Sequence, residues 1–291
     1  MSDRQKAFLS IFLGTLLGGA TATITKIGIM EFPPLSFAFI RFFIASILIL
    51  PFFLKLKKHK LKEFKDLVPV SLFASINIIL FIIGIKTTTA TIGQLLYAGV
   101  PLLTGLIAYW FLDENFNLKK IVGIIIGFIG VGLVVFLPVI EKGQVFAGDL
   151  KGNLLIAVAV IFFSTYMVFS KKAQKRYSPF IVTAIFIFVT TILLFPFFVY
   201  DQSIHTGWWH ALTIKGVIAM LYITIVATII TYILNQYAIK HGGSIFASMA
   251  YYLLPVFSFF SAFLLLGERL TQGVLIGGIL ALLGVFFVTK K

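Results

Sequence analysis

The sequence predicts an all-α integral membrane protein of ten transmembrane helices, built as two inverted repeats of five. Three observations carry that expectation. Of 291 residues, 60% are hydrophobic and only 12% charged. That is far from a soluble composition, because a soluble domain needs much more polar surface to cover its core. The apolar residues fall in runs long enough to cross a bilayer, which takes roughly 20 residues as a helix. The runs of the first half also recur in the second half at fixed register.

Hydropathy places the ten spans at 6–29, 35–54, 67–85, 89–112, 119–137, 151–171, 179–200, 212–238, 243–267 and 270–288. Short links separate them, punctuated by Pro33-Pro34, Pro138, Ser178-Pro179 and Gly242-Gly243. Ala20-Thr21-Ala22 after the first run resembles a signal-peptidase site, but the run is too long for a typical signal h-region. The first span is therefore expected to be part of the folded bundle.

The net charge of +14 raises the question of nucleic acid, and the placement of the charge argues against it. Lys55, Lys57, Lys58, Lys60, Lys62 and Lys65 crowd one link; Lys171, Lys172, Lys175 and Arg176 crowd another. Both links fall on the same side of an up-and-down bundle. The positive-inside rule then puts that side, and both termini, in the cytoplasm. The expected location is a multi-pass cytoplasmic membrane. Cysteine is absent, which removes disulfides, thiolate metal sites and cysteine nucleophiles.

The repeat has two registers. The offset from Tyr97 to Tyr251 also carries Lys86 to Lys240, Pro101 to Pro255, Glu114 to Glu268, Gly123 to Gly277 and Gly130 to Gly284. A slightly shorter offset carries Lys26 to Lys171, Pro34 to Pro179 and Pro51-Phe52-Phe53 to Pro196-Phe197-Phe198. Shared Ile or Leu would mean little in so apolar a chain; shared Pro, Lys, Glu and Tyr mean more. The predicted units are residues 1–140 and 141–291. Five spans is an odd number, so the second unit enters the membrane inverted, the architecture of many secondary transporters. A duplicated scaffold or channel is the bland alternative.

These residues carry a resemblance. Lys26, Arg41 within Phe39-Ile40-Arg41-Phe42, and the paired series Pro101/Glu114/Gly123 and Pro255/Glu268/Gly277 resemble the drug/metabolite transporter superfamily, specifically its EamA-type ten-helix members. Leu265-Leu266-Gly267-Glu268-Arg269-Leu270-Thr271 looks like that family's turn, from which Leu112-Asp113-Glu114-Asn115-Phe116 departs. The resemblance implies a basket of helices around a central cavity. It leaves amino acids, other metabolites and drugs all open as cargo.

Polar rows at helical spacing mark where a solute could sit, since polar groups facing lipid are costly. Span four offers Gln94, Tyr97, Pro101 and Thr104; span nine offers Ser248, Tyr251, Pro255 and Ser258. Each set falls on one face. Pro101 and Pro255 are expected to break or gate their helices, because proline withholds a backbone donor. Asn77 and Asn235 are amides in need of partners. Thr224, Thr228 and Thr231 form a row with Asn235, although threonines also bond their own backbone. Thr21 and Thr25 share a face of span one, and Tyr166 is the repeat counterpart of Thr21. Helix packing is the alternative reading of each such row.

Lys26 and Arg41 are the ionisable groups inside the spans. Lys26 is placed with the solute contacts; Arg41, with Glu114 and Glu268, is placed as a structural charge, because long cationic side chains near a helix end snorkel to the interface. The acids fall in links or at span ends. A carrier that exchanges protons for cations needs an embedded carboxylate, so neutral, zwitterionic or anionic cargo is favoured. No metal site, cofactor motif or acid–base pair is present to support an enzyme.

The resulting expectation is a secondary transporter of small metabolites, amino acids or similar zwitterionic or neutral compounds, working by alternating access as exporter or facilitator. A multidrug or lipid-precursor carrier is the alternative, and a non-transporting scaffold the alternative of another class. Membrane lipids and a small-molecule substrate are the expected partners. The small-residue patterns Gly123/Gly127 and Gly273/Gly277 point to close packing of spans five and ten, or to a homodimer there.

Overall fold

The structure, a computed structural model, describes residues 1–56, 64–112, 118–141 and 147–289. It is helical throughout, with no strand among the described residues. In chain order the helices are α1 (Asp3–Gly18), α2 (Thr21–Gly28), α3 (Pro34–Leu54), α4 (Leu67–Thr87), α5 (Ala90–Tyr97), α6 (Val100–Leu112) and α7 (Leu118–Ile140). The second half follows with α8 (Leu150–Ala173), α9 (Pro179–Ile204), α10 (Ile214–Tyr222), a π-helical stretch Ile223–Ile230, α11 (Thr231–Gly242), α12 (Ser244–Ser248), α13 (Ala250–Leu266) and α14 (Gln272–Thr289).

Seven segments are long and apolar enough to cross a membrane: Asp3–Gly28, Pro34–Leu54, Leu67–Thr87, Ala90–Phe111, Leu150–Ala173, Pro179–Ile204 and Ile214–Gly242. The protein is thus a multi-pass membrane protein. The other three predicted runs coincide with α7, α13 and α14, which are 23, 17 and 18 residues long.

Local chemistry explains the helix ends. Pro34 and Pro179 open α3 and α9, where a missing N–H costs nothing. Thr89, Asp149, Ser178 and Thr213 each cap a helix start by accepting the backbone N–H three residues on. Gly267 ends α13 at φ 67°, a conformation that only glycine adopts freely.

The helices pack in a recurring pattern. α4 lies along α8 and α1 along α11; α3 lies along α9 and α7 along α14. Glycines allow the closest approaches. A Cβ on Gly84 would lie 2.7 Å from Ile156 Cγ1 and 2.8 Å from the Gly152 carbonyl, so α4 and α8 touch backbone to backbone. A Cβ on Gly273 would lie 2.3 Å from Leu137 Cδ2, and one on Gly277 2.8 Å from Val134 Cγ2. The Gly273/Gly277 stripe of span ten is therefore covered by α7, and Gly127 of the span-five stripe meets Leu102 of α6 instead, a Cβ there lying 2.3 Å from Leu102 Cδ1.

Candidate functional site

Four of the expected spans are interrupted in mid-course: span one at Gly19-Ala20, span four at Ala98-Gly99, span eight by the π-helical stretch and span nine at Met249, with α13 running on through Pro255. Pro101 cannot donate to the Tyr97 carbonyl, nor Pro255 to that of Tyr251. Between α5 and α6 the chain turns tightly, with Ala98 N bonded to Leu95 O and Gly99 N to Leu96 O, both at 3.0 Å. In the eighth span the hydroxyls of Thr228 and Thr231 bond carbonyls five residues back, Ile223 at 2.8 Å and Val226 at 2.9 Å. That widened turn rotates everything beyond it, a departure often found at functional sites.

Counted out to its open mouth, the cavity measures about 700 Å³. The first half supplies Gly18, Thr21, Arg41, Asn77, Ile78, Phe81, Gln94 and Tyr97; the second supplies Phe163, Ala227, Thr231, Tyr232, Asn235, Tyr251 and Leu254. A second cavity of about 300 Å³ shares Thr231, Asn235, Tyr251 and Leu254 with it and continues past Ser10, Gly14 and Ala247. The space thus extends toward the end of the bundle that carries the amino terminus.

Six of the residues singled out as solute contacts line this cavity: Gln94, Tyr97, Tyr251, Asn77, Asn235 and Thr21. They differ in how far they are already committed. The Asn77 amide donates to the Tyr97 hydroxyl at 2.5 Å and to the Ala159 carbonyl at 2.8 Å, so it holds the Tyr97 ring in place. Asn235 Oδ1 is buried with no hydrogen-bond partner among the described residues. The Tyr97 ring lies 6.1 Å from that of Tyr251, and the Tyr251 ring 5.2 Å from that of Phe163. One wall is therefore a run of aromatic rings.

The other four lie outside the lining. Ser248 Oγ turns back to the Ile245 carbonyl at 2.7 Å. Thr25 is buried within α2, the second half of span one. The Tyr166 hydroxyl accepts from Gln236 Nε2 at 2.8 Å, one layer behind Phe163 and Phe186. Lys26 follows the break at Gly19-Ala20 and reaches the Thr88 carbonyl at the end of α4, where it serves as a helix C-terminal cation. Its repeat counterpart Lys171 does the same at α11, donating to the carbonyls of Ile239 and Lys240 at 3.3 and 3.1 Å. Pro101 and Pro255 are buried behind the cavity wall.

The structure puts Arg41, expected as a structural charge, in the cavity lining at 4% exposure. Its guanidinium sits 4.7 Å over the Phe42 ring, and its Nε has no partner among the described residues. It caps no helix and pairs with no carboxylate there. Glu268, by contrast, is a helix cap: its carboxylate accepts from Ala90 N at 2.7 Å, Thr91 N at 2.9 Å and Thr91 Oγ1 at 2.7 Å, at the start of α5. Glu114 lies outside the described residues. Tyr232, Phe81 and Phe163 line the cavity without having stood out in the sequence. Tyr232 neighbours Thr231 in a row already singled out, and that adjacency was the available signal.

Comparison with known proteins gives the arrangement its context. The model of the EamA-like transporter family matches residues 5–136 and 150–290. An uncharacterized transporter of Archaeoglobus fulgidus is 29% identical over 99% of this chain and 98% of its own. The uncharacterized transporter YoaV of Bacillus subtilis is 25% identical over 98% of this chain and 97% of its own. YdfC, another uncharacterized transporter of Bacillus subtilis, is 26% identical over 91% of this chain and 85% of its own. One solved crystal structure superposes with a TM-score of 0.69 over 98% of this chain and 96% of that one, at 17% identity, a likeness of fold. The chain belongs to the EamA-like transporter family.

Proposed function

We propose that the protein is a secondary transporter that carries small metabolites, amino acids or similar zwitterionic or neutral compounds, across the cytoplasmic membrane by alternating access. Export or facilitated diffusion is the mode we favour. The observation that carries this reading is the shared cavity: both halves contribute helices, rings and uncommitted polar groups to one space between them. Membership in a transporter family leaves no place for an enzyme.

The reading takes ten spans in two inverted units, residues 1–140 and 141–291. The family match in two segments supports it. So does the exchange of partners, in which α4 on α8 is answered by α1 on α11, while α3 meets its counterpart α9 and α7 its counterpart α14. Both termini are then cytoplasmic. Gln94, Tyr97, Asn77, Asn235, Tyr251 and Thr21 touch the solute, with Pro101 and Pro255 bending the helices that carry them. Ser248, Thr25, Tyr166 and Lys26 act from behind by holding that wall. A homodimer through spans five and ten would use their exposed outer faces, among them Ile125, Ile129, Leu275 and Ile279.

The test is flux into liposomes containing the purified protein, with a broad panel of amino acids and metabolites. Uptake of at least one zwitterionic or neutral member, reduced about tenfold by Gln94→Ala at unchanged folded yield, is the expected result. A panel in which nothing moves would sink the reading. Protection of a drug-sensitised host without metabolite flux would replace it with the multidrug alternative.

A further inference from the structure

Arg41 is a full positive charge in the membrane interior with nothing to neutralise it. Arginine does not give up its proton in proteins. A buried, uncompensated charge is among the most costly features a fold can carry. None of the residues lining the cavity is acidic, and no ion pair involving Arg41 occurs among the described residues. Its contact with Phe42 covers one face of the guanidinium and leaves the edge, where the N–H groups lie, unused. The fold has other ways to neutralise cations. Lys26 and Lys171 each find helix-end carbonyls, and Arg176 pairs with Asp66 at 3.2 Å. Arg41 alone of these is kept unpaired, and it is the one in the cavity.

The surrounding groups extend the pattern. The Tyr97 hydroxyl accepts from Asn77, so its own proton remains free to give. Arg41 and Tyr97 therefore both present donors to the same space. Asn235 presents the opposite, a buried amide oxygen without a partner. The rings of Phe81, Phe163 and Tyr251 line the same cavity, gathered around Tyr97.

We infer that Arg41 is the anchor for a carboxylate of the cargo, and that the substrate class is a small organic acid with an apolar, ring-sized body. Arg41 and Tyr97 hold the carboxylate, since a guanidinium edge matches its two oxygens. The body lies along the rings, and Asn235 accepts from an amino or hydroxyl group where the acid carries one. A solute whose only charge is positive is repelled. This rests on the transporter reading, keeps its zwitterions that carry a free carboxylate, and adds anionic acids to them.

The test uses the full-length protein in detergent, with binding measured by calorimetry for three probes that share one ring: L-phenylalanine, 3-phenylpropionate and 2-phenylethylamine. The two acids bind and the amine does not. Arg41→Gln weakens both acids about 100-fold, and Arg41→Lys, which keeps the charge but loses the fork, about tenfold. Asn235→Leu weakens L-phenylalanine about tenfold and leaves 3-phenylpropionate within about twofold, a split that a merely structural role would not produce. Equal binding of amine and acids overturns the inference, as does unchanged acid binding in folded Arg41→Gln. Should Arg41→Gln fail to fold, 3-phenylpropionamide against wild-type protein decides: affinity equal to that of 3-phenylpropionate overturns the inference, and loss of binding supports it. Flux of neutral or cationic solutes without any acid sinks this inference alone; absence of all flux sinks the transporter reading beneath it.

Discussion

The two ends of the helix bundle are held together by different chemistry. At the end opposite the amino terminus, buried or half-buried carboxylates accept from backbone N–H groups at the starts of other helices. Glu268 does so at α5, Asp201 at Ser36 in α3, Glu31 at Thr213 before α10 and Glu141 at Gly273 in α14. At the end that carries the amino terminus, the described carboxylates, Asp3 and Asp66, are exposed and serve in ion pairs. Arg176 and Asp66 meet at 3.2 Å with side chains 64% and 69% accessible, and His241 meets Asp3 at 2.9 Å. A charge-assisted bond to a helix start draws on the helix dipole and on exclusion of water, whereas an exposed ion pair contributes little. The central cavity extends toward the weaker end. An access path is easiest to open where the ties across it are weakest, so the difference marks which end gives first.

The largest effect should come from cutting the strongest tie. Glu268 is 5% exposed and holds three donors. Glu268→Ala strands two backbone N–H groups and a hydroxyl, so we expect a loss on the order of 3 kcal/mol, seen as a marked fall in Tm in detergent. A loss no greater than that of Asp66→Ala would abolish the contrast between the ends.

The second effect concerns access. The chain has no cysteine, so a single introduced thiol reports without background. Ser10→Cys, on the cavity that leads to the amino-terminal end, should react with a membrane-impermeant maleimide from that side. Gln94→Cys should react at least about tenfold more slowly from the opposite side, and Glu268→Ala should raise that rate. Equal rates from both sides would show that the carboxylate caps do not close that end. The third effect is a small one: Asp66→Ala should cost less than about 1 kcal/mol, with Tm nearly unchanged.

Part of this was legible in the sequence for physical reasons. Helix spacing and shared prolines sufficed to put Gln94, Tyr97 and Tyr251 on one wall, because neighbours at three and four residues share a face. Asn235 declared itself as an amide among apolar residues. Arg41 was hidden because depth along a helix does not say which way it is turned, and a cation near an end has an ordinary explanation in snorkelling. Phe81 and Phe163 were hidden because a phenylalanine that faces a cavity and one that faces lipid look alike in hydropathy. Tyr232 reaches the cavity beyond a π turn that shifts the helical face, which a regular period does not anticipate. Glu268 and Thr91 stand 177 positions apart, so the cap is a property of tertiary structure alone.

The smallest expected effect lies at Glu31, in the link between α2 and α3, and it probes the same lacing through pH. The bonds from Thr213 N at 2.9 Å and Thr213 Oγ1 at 2.7 Å, with Lys215 nearby, hold the Glu31 carboxyl below its ordinary range. A carboxylate lowered on folding contributes stability above its unfolded pKa of about 4.3 and loses that contribution as pH falls through the lower folded value. The group is only half-buried, so water and salt screen the effect and it stays local. Amide-exchange protection at Thr213 and Gly216, corrected for intrinsic rates, should therefore be flat from neutral pH down to about 5 and then fall. Glu31→Gln should show lower protection at neutral pH and no such step. A step that persists in Glu31→Gln would assign the titration to another group, and would detach Glu31 from the lacing that sets this end of the bundle apart.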